Sequence, residues 1–358
     1  MMIYGVMMAG GGGTRFWPLS RQKTPKQLLN LSGKDVMVNE AVDRLAAITD
    51  KNNIFIVTSE VQAPAMAEVT DGRILKDHIL AEPAARNTAA CIGYAAIEIL
   101  RKYGDGIMVI TPADHVIADV PALASIFNTA VKAAEEQNKL VTIGLKPTFP
   151  STGFGYIKYD AGQEGAVKPV IEFREKPDAE TAKAYVESGE YAWNSGMFIW
   201  KASLIIEKMK EYIPDIYEDI VKIGEAMGTP GEDQVLHEVY PDIRKISIDY
   251  AVMEPSAAKG DVLVIPGDCG WNDVGSWDMM DILHEPDENN NILLGDIMAI
   301  DVNDSVMYSS GRTIAVVGVD NVVIVETPDA VMVCRKDKAQ DVKKIVDLLN
   351  EKGRKELL

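Results

Sequence analysis

The strongest constraint on the fold of this chain lies near its start, where a short apolar run leads into consecutive glycines. The run Ile3–Ala9 has the length and composition of a buried strand, and Gly10–Arg15 follows it directly. Because glycines lack a Cβ, the backbone N–H groups of such a loop can approach a ligand closely. Arg15 and Lys26 add positive charge of the kind that binds phosphate oxygens. The segment therefore predicts a strand-to-loop turn that receives a phosphate-bearing ligand.

Two common glycine-loop templates do not fit this segment. A Walker A loop requires a lysine and a Ser/Thr immediately after its last glycine, whereas Gly13 is followed by Thr14 and Arg15. The dinucleotide-binding fingerprint requires a third glycine at the position that Arg15 occupies. A glycine-rich turn without a ligand remains the alternative interpretation of this segment taken alone.

Composition excludes several classes of function. With 358 residues, of which 47% are hydrophobic, the chain can bury a large core and form one large domain with a smaller one. A net charge of −18 argues against sequence-independent binding to nucleic acid. No apolar run reaches the length of a membrane span, and the amino terminus lacks the basic head of a signal peptide. The widely spaced Cys91, Cys269 and Cys334 predict reduced thiols in a cytoplasmic protein.

The first half of the chain alternates strand-like and helix-like segments. Strands are predicted at Ile3–Ala9, Ile54–Thr58, Ile107–Thr111 and Leu140–Leu145, and helices near residues 36–48, 60–70, 88–103 and 121–138. Asp119 and Pro121 suit the start of the fourth helix, and Gly104 suits the end of the third. Such alternation predicts a parallel sheet covered by helices on both faces, with ligands beyond the carboxyl ends of its strands.

The regular alternation weakens after residue 150. Helices are predicted at 179–188, 201–211 and 232–239, and Gly224–Gly231 is predicted to be a surface connection. Beyond the polar segment Glu285–Asn291, short strands are predicted at Ile292–Ile300, Ser305–Tyr308, Thr313–Val319, Asn321–Glu326 and Ala330–Cys334. They favour stacked strands or a small β-solenoid, followed by an amphipathic helix over Lys338–Leu358. We therefore predict a large domain over residues 1–284 and a small one over residues 285–358.

Two isolated aspartates are candidate metal ligands. Asp114 comes just after the predicted strand Ile107–Thr111, and Asp273 lies in a turn rich in glycine and tryptophan. Mg²⁺ needs only one or two protein carboxylates when phosphates and water complete its coordination. Capping of the next helix or turn explains Asp114 equally well, and the tryptophans near Asp273 could simply anchor the small domain. His115 is interpreted as structural, because no nucleophile or carboxylate completes a catalytic set around it.

Polar side chains also cluster before the helix predicted at 88–103. Asn87 or Thr88 could cap that helix, which explains one residue of the group but not Glu82, Arg86 and Asn87 together. Their donors and acceptors suit the edge of a nucleotide base.

Three later segments suit a sugar phosphate. Glu175 could bind sugar hydroxyl groups and Lys176 a phosphate, although surface charges need no such explanation. In Thr152–Ile157 and Trp193–Phe198, glycine backbone and the Asn194 amide could contact a neutral polar ligand. Core packing is the default interpretation of the aromatic residues in both segments.

In their order along the chain, these segments resemble the mannose-1-phosphate guanylyltransferase family of sugar-phosphate nucleotidyltransferases. The resemblance spans about residues 3–280 and rests on Gly10–Arg15, Pro18–Arg21, Pro25–Gln27, Glu82–Thr88, Pro112–His115, Thr152–Ile157, Glu175–Pro177, Trp193–Phe198, Ser247–Met253 and Trp271–Trp277. Each motif alone is weak, but the ordered set is highly specific. Ala113 and Phe154 depart from the family pattern, in which serine and tyrosine are frequent at these positions.

The resemblance implies an α/β fold: a Rossmann-like nucleotidyltransferase domain with a mixed, mostly parallel sheet, then a left-handed β-helix-like segment and a terminal helix. It implies transfer of GMP from GTP to α-D-mannose 1-phosphate with Mg²⁺, giving GDP-mannose and pyrophosphate. The nucleotide-binding residues it implies are Ala9, Gly10, Gly11, Gly12, Gly13, Thr14, Arg15, Lys26, Glu82, Arg86, Asn87, Thr88 and Asp114. The sugar-phosphate-binding residues it implies are Gly155, Tyr156, Glu175, Lys176, Asn194 and Gly196. The implied metal ligands are Asp114 and Asp273, and the implied catalytic residues are Arg15, Lys26, Asp114, Lys176 and Asp273.

The chemistry of this transfer agrees with the residues present. A sugar phosphate is already anionic near neutral pH, so its attack needs no general base, and the chain has no obvious Ser, Cys or His catalytic set. Catalysis then consists of positioning two anions and neutralising charge on the leaving group. Two alternatives remain open: UTP or dTTP with glucose 1-phosphate, and a non-catalytic regulatory subunit that binds GDP-mannose. Unmatched apolar faces in the β-rich region predict a homodimer.

Overall fold

The computed structural model describes all 358 residues, and its main feature is a nine-stranded mixed sheet. The strands are β1 (Ile3–Met8), β2 (Ile54–Ser59), β3 (Ile79–Glu82), β4 (Ile107–Pro112), β5 (Val116–Ile117), β6 (Leu140–Leu145), β7 (Tyr156–Tyr159), β8 (Lys168–Arg174), β9 (Tyr191–Lys201), β10 (Val262–Gly267), β11 (Trp271–Asn272), β12 (Ile292–Leu294), β13 (Ile297–Ile300), β14 (Val306–Ser309), β15 (Ile314–Val317), β16 (Val322–Thr327) and β17 (Ala330–Arg335). The α-helices are α1 (Met37–Leu45), α2 (Ala63–Val69), α3 (Asn87–Lys102), α4 (Val120–Gln137), α5 (Ala179–Ser188), α6 (Ala202–Tyr212), α7 (Pro214–Ala226), α8 (Glu232–Val239), α9 (Glu254–Ala258) and α10 (Lys343–Glu351).

The large sheet has the strand order β3-β2-β1-β4-β9-β6-β10-β8-β7. The first four strands run parallel, as the alternation of the first half predicts. The rest of the sheet is mixed, because β9 runs antiparallel to both β4 and β6. Two large apolar clusters, one on each face, bury the sheet between helices. The carboxyl ends of β1, β3 and β4 therefore lie along the same edge of the sheet.

Local signals explain several helix boundaries. The Asp119 carboxylate accepts a hydrogen bond from the Ala122 N–H at 2.9 Å and caps α4, whose first turn carries Pro121. After α3 the chain turns through Gly104, which has a φ of +89°. Both boundaries confirm the sequence prediction. None of the ten α-helices combines the length and apolarity that crossing a lipid bilayer requires.

The sequence pattern missed β3 (Ile79–Glu82) in the first half and several elements in the middle of the chain. The segment Tyr191–Lys201 is one long strand in the centre of the sheet, although its Asn-Ser-Gly sequence suggests a turn. Pairing on both sides overrides that tendency, and Gly196, with a φ of +71°, lies where the ladder to β6 shifts register. The predicted connection at 224–231 was wrong at its start, because Gly224 lies in α7 and packs against Ile97.

The carboxyl-terminal region is β-helix-like, which confirms that part of the predicted fold. β12, β14 and β16 stack in parallel, and β13 pairs with β15 in a second short sheet. A third apolar cluster joins this region to the segment after the glycine loop, where Phe16 and Trp17 pack with Trp277 and Val306. The terminal helix is shorter than predicted, since α10 covers residues 343–351 between two 3₁₀ turns. The division at residue 284 stays a prediction.

Candidate active site

The loop after β1 opens onto a cleft at the carboxyl ends of the parallel strands. Gly10 and Gly11 line this cleft, and the Gln27 side chain holds the loop from behind by donating from Nε2 to the Gly11 carbonyl at 3.1 Å. Gly13 has a φ of +58°, and a Cβ added there would lie 2.3 Å from the Lys26 Cβ. Only glycine therefore fits where the loop passes Lys26.

The Lys26 ammonium joins the two loops that carry the predicted metal ligands. Its side chain is 5% exposed, and Nζ donates to the Asp114 carbonyl at 2.8 Å, the Asp114 carboxylate at 3.1 Å and the Asp273 carbonyl at 2.6 Å. An ammonium has three N–H donors, so all of them are used within the protein. Lys26 therefore fixes the two acidic loops relative to each other, and its direct contact with a triphosphate stays a prediction.

Backbone pairing and a second buried cation support the same loops. β5 begins just after Asp114 and β11 ends just before Asp273, and the two strands pair antiparallel. Arg44 of α1 is buried and donates from Nη2 to the His115 carbonyl at 2.9 Å. Burial lowers the pKa of Arg44 to about 10, so the guanidinium remains charged at neutral pH. The two aspartates are thus held near each other before any ligand arrives.

The two carboxylates respond differently to the shared ammonium. Burial alone would raise the pKa of Asp114, but several opposing effects, the Lys26 charge first among them, together outweigh burial and lower this pKa. Burial raises the pKa of Asp273, because Lys26 bonds the backbone carbonyl of this residue and not its carboxylate. The negative charge of Asp114 raises the pKa of Asp273 further.

The same pair is the protein's candidate metal site. No group of three or more His, Cys, Asp or Glu side chains is arranged to hold a metal ion. Two neighbouring carboxylates nevertheless suit a hard divalent cation whose remaining ligands are water and substrate phosphates. The Asp114 side chain is 41% exposed and therefore open to such a ligand. The residues present fit a metal shared between protein and substrate.

The first compartment of the cleft has a volume of about 560 Å³ and lies between the glycine loop and the start of α3. Glu82 at the end of β3 is buried and accepts a hydrogen bond from the Tyr240 hydroxyl at 2.5 Å. Burial raises the pKa of Glu82 to about 7, although the Tyr240 bond opposes the rise. A Cβ added to Gly10 would lie 3.1 Å from Glu82 Oε2, so the glycine loop and the carboxyl group are neighbours.

The second compartment, of about 240 Å³, holds an oriented amide. Asn194 Nδ2 donates to Asp249 Oδ1 at 2.8 Å, and Thr142 Oγ1 donates to Asn194 Oδ1 at 3.2 Å. Burial, with the nearby Glu175 charge, raises the pKa of Asp249 to about 6. A Cβ added to Gly155 would come within 2.4 Å of Glu175 Oε2. Two carboxyl groups and an amide thus meet in a space suited to a ligand with several hydroxyl groups.

The third compartment, of about 790 Å³, carries the cations. Lys176 is half exposed and bonds Glu175 Oε1 at 2.7 Å, and Arg15 Nε is buried with no acceptor in the protein. Asp273 lines both this compartment and the second, while His115 lines the first and the second. The three compartments therefore share walls around the paired acidic loops.

The predicted site residues divide among these compartments. The first compartment is lined by Gly10, Gly11, Glu82, Arg86, Asn87, Thr88 and Asp114. The second is lined by Gly155, Glu175, Asn194, Gly196 and Asp273. The third is lined by Arg15, Lys176 and Asp273. Gly12 and Thr14 instead face a small hollow beside Leu358, and Ala9 is buried behind the loop. Tyr156 also lies outside the cleft, because it is fully buried and its hydroxyl donates to the Ser151 carbonyl at 2.9 Å.

Asp249 and Lys245 lie in the cleft although the sequence analysis gave neither a role. Asp249 orients Asn194, and the signal for it was the segment Ser247–Met253, which was noted only for its family resemblance. Lys245 lines the first compartment as an exposed cation, and no sequence signal distinguishes it from other surface lysines.

Comparison with known proteins agrees with this geometry. The sequence profile of the family described as "Nucleotidyl transferase" matches residues 4–290, and that of the "MannoseP isomerase/GMP-like beta-helix domain" matches residues 295–349. The xanthan biosynthesis protein XanB of Xanthomonas campestris pv. campestris (strain B100) is 42% identical over 98% of this chain and 74% of its own length. The mannose-1-phosphate guanylyltransferase RfbM of Salmonella typhimurium is 40% identical over 99% of this chain and 74% of its own length.

A solved structure extends the similarity to the whole fold. The crystal structure of a protein described as mannose-1-phosphate geranyltransferase, from Thermus thermophilus, superimposes with a TM-score of 0.86 at 32% identity. The match covers 98% of this chain and 100% of that one. The resemblance expected from the ordered motifs is thereby confirmed. The chain belongs to the nucleotidyl transferase family and is similar to mannose-1-phosphate guanylyltransferases over almost its whole length.

Proposed function

We propose that this protein transfers GMP from GTP to α-D-mannose 1-phosphate and forms GDP-mannose and pyrophosphate. The observation that carries the proposal is the set of three adjoining compartments around Asp114 and Asp273. One suits a base and ribose, one suits a sugar, and one carries the cations that a phosphate chain needs. The name of the Salmonella relative, mannose-1-phosphate guanylyltransferase, supports the choice of substrates.

The reaction is a substitution at phosphorus. A phosphate oxygen of mannose 1-phosphate attacks the α-phosphorus of GTP, the bond from that phosphorus to the bridging oxygen breaks, and pyrophosphate leaves with the electron pair. The attacking oxygen is already anionic, so no side chain has to remove a proton. The protein lowers the barrier by aligning two anions that repel each other and by stabilising charge on the leaving group.

The cleft offers groups for each of these tasks. Arg15 lines the third compartment and Arg86 the first, and Nε of each has no acceptor within the protein. We assign both guanidinium groups to phosphate oxygens. Asn194, oriented by Asp249, is available to sugar hydroxyl groups. We assign Lys26 to holding the acidic loops at a fixed separation, because all three of its N–H donors are used within the protein.

We propose Mg²⁺ as the cofactor, held by Asp114 and Asp273 together with substrate phosphates. When bound, the ion supplies positive charge next to the reacting phosphates. Support comes from the two carboxylates and from the exposed Asp114 side chain. The binding test is isothermal titration with Mg²⁺ and GTP, in which D273N should weaken metal-dependent nucleotide binding.

A panel of substrates tests the proposed function. Purified protein is incubated with GTP, UTP or dTTP, with either mannose 1-phosphate or glucose 1-phosphate, and pyrophosphate release is measured with and without Mg²⁺. We expect the GTP and mannose 1-phosphate pair to be fastest and to require the metal. Faster turnover of UTP or dTTP with glucose 1-phosphate would reassign the substrates. Tight GDP-mannose binding without turnover by any pair would favour a regulatory subunit.

We also propose a homodimer that forms through the β-helix-like region. Met298, Ile300 and Val317 are more than 60% exposed on the face of β13 and β15, where Ile300 and Val317 are paired neighbours. A row of exposed apolar side chains of this kind favours burial against a partner. Light scattering over a concentration series should give twice the chain mass, and I300E should give the monomer mass.

The proposed location is the cytoplasm, supported by three free cysteines.

A further inference from the structure

The His115 imidazole is held in one tautomer by its neighbour Trp271. The indole Nε1 of Trp271 donates to His115 Nδ1 at 2.9 Å, and the two rings meet at an interplanar angle of 87°. An indole N–H is only a donor, so Nδ1 must carry a lone pair. The ring is then neutral with its single proton on Nε2, because both nitrogens of an imidazolium are donors.

His115 lies where two compartments of the cleft meet. His115 lines both the first and the second compartment, and no protein group accepts a hydrogen bond from its Nε2. Met8, Thr88 and Pro112 are the other residues shared by the two compartments. Thr88 Oγ1 accepts from the Ile248 N–H at 2.9 Å, so the Thr88 hydroxyl proton is the second free side-chain donor there. The junction therefore offers two uncharged donors between the nucleotide side and the sugar side.

The backbone around His115 is built to hold this orientation. Arg44 fixes the His115 carbonyl, and the pairing of β5 with β11 carries Trp271 to the imidazole. A loop that served only to present Asp114 would not need an indole aimed at Nδ1. The arrangement fixes both the position of the imidazole and the nitrogen that keeps the proton.

We propose that His115 is a further catalytic residue, which donates a hydrogen bond from Nε2 to a non-bridging oxygen of the transferred α-phosphate. Trp271 is its positioning residue, because it selects the tautomer. The inference rests on the proposed function, in which the α-phosphate must lie between the nucleoside and the sugar phosphate. Charge builds on the non-bridging oxygens during the substitution, so a fixed donor stabilises the transition state more than the bound substrates.

The test compares H115F, H115Q and W271F with two matched controls. H237Q changes an exposed histidine on α8, and W200F removes an indole N–H that has no partner in the core. Removal of one fixed donor typically costs about 10²-fold in kcat. We expect this loss in H115F with KM changed by only a few-fold, partial recovery in H115Q through its amide N–H, and roughly tenfold loss in W271F. Both controls should keep wild-type kcat, and circular dichroism checks the fold of every variant.

A second readout does not depend on turnover. ¹⁵N NMR of histidine-labelled protein without substrates should show Nδ1 of His115 unprotonated and Nε2 protonated, and the signal is assigned by its absence in H115Q. In W271F the Nδ1 signal should move towards the protonated form.

The outcomes separate this inference from the proposed function. Wild-type turnover by H115F, equal losses in H115F and H115Q, or a protonated Nδ1 in the wild-type protein would overturn the role of His115. If the wild-type protein forms no nucleotide sugar from any substrate pair, the proposed function itself has failed, and the inference fails with it. The NMR experiment then still decides whether Trp271 sets the tautomer.

Discussion

Replacement of Lys26 by methionine separates the two roles that this lysine could have. The Lys26 side chain is 5% exposed, and its ammonium makes three hydrogen bonds to the loops of Asp114 and Asp273. Breaking a buried ion pair by removing one partner costs about 3–5 kcal/mol. Because Asp114 is 41% exposed and regains water, the lower end applies, and we expect K26M to lower the free energy of unfolding by about 3 kcal/mol.

The same change should also reduce turnover. Without the ammonium, the acidic loops lose their fixed separation, and a misplacement of about 1 Å can cost 10²-fold in rate. Urea unfolding followed by tryptophan fluorescence gives the stability, and pyrophosphate release gives kcat. K23M, at an exposed lysine three residues earlier, is the control and should stay within about 0.5 kcal/mol of wild type.

The pattern of the two losses decides between the roles. Loss of both stability and turnover in K26M supports a cross-link between loops. Full stability with lost turnover would mean that Lys26 acts on substrate, as the sequence alone predicts, and would refute the reasoning from the structure. A K26M protein that matches K23M in both measurements would refute both roles.

Three further predictions follow from the cleft. D114N and D273N should each lose at least about 10²-fold in metal-dependent kcat. The near-ultraviolet circular dichroism of both variants should stay that of the wild type. Wild-type rates in either variant would contradict the assignment of these residues as metal ligands. G155A should raise KM for the sugar phosphate at least about tenfold, because the new Cβ would lie 2.4 Å from Glu175 Oε2, and an unchanged KM would contradict the assignment of the second compartment. Burial raises the pKa of Glu82 to about 7 from 4.5, so the folded state keeps a proton that the unfolded chain releases, and stability falls as pH rises through this window. Urea unfolding at pH 5.5 and 7.5 should show this fall, about 2 kcal/mol from Glu82, in wild type but not in E82Q, and equal pH dependence in the two proteins would contradict it.

Strands that are buried on both faces of the sheet were predictable from the sequence. Leu140–Leu145 is a mostly apolar segment that is buried at every position, and its predicted bounds equal those of β6. The central strand β9 was not predictable in this way, because Asn194 and Gly196 make its middle look like a turn. Only the strands on either side, β4 and β6, keep that segment extended.

The residues of the candidate site also differ in whether a local sequence pattern could predict them. Ordered motifs predicted Glu82, Asp114 and Glu175 as site residues, because these residues stand in recognisable local sequences, and the structure places all three in the lining of the cleft. The role of Lys26 depends on partners 88 and 247 residues away, which no local pattern encodes. Asp249 and Trp271 likewise act through contacts with Asn194 and His115 that exist only in the fold.

Radiolabelled GTP shows whether nucleotidyl transfer takes place at the α-phosphorus. Purified protein is given mannose 1-phosphate, Mg²⁺ and GTP labelled either at the α- or at the γ-phosphate, and the products are separated by anion exchange. We predict that α-label appears in GDP-mannose, that γ-label appears only in pyrophosphate, and that neither product forms without the sugar phosphate. Release of γ-label as inorganic phosphate, or GDP-mannose binding with no transfer of α-label, would contradict this prediction.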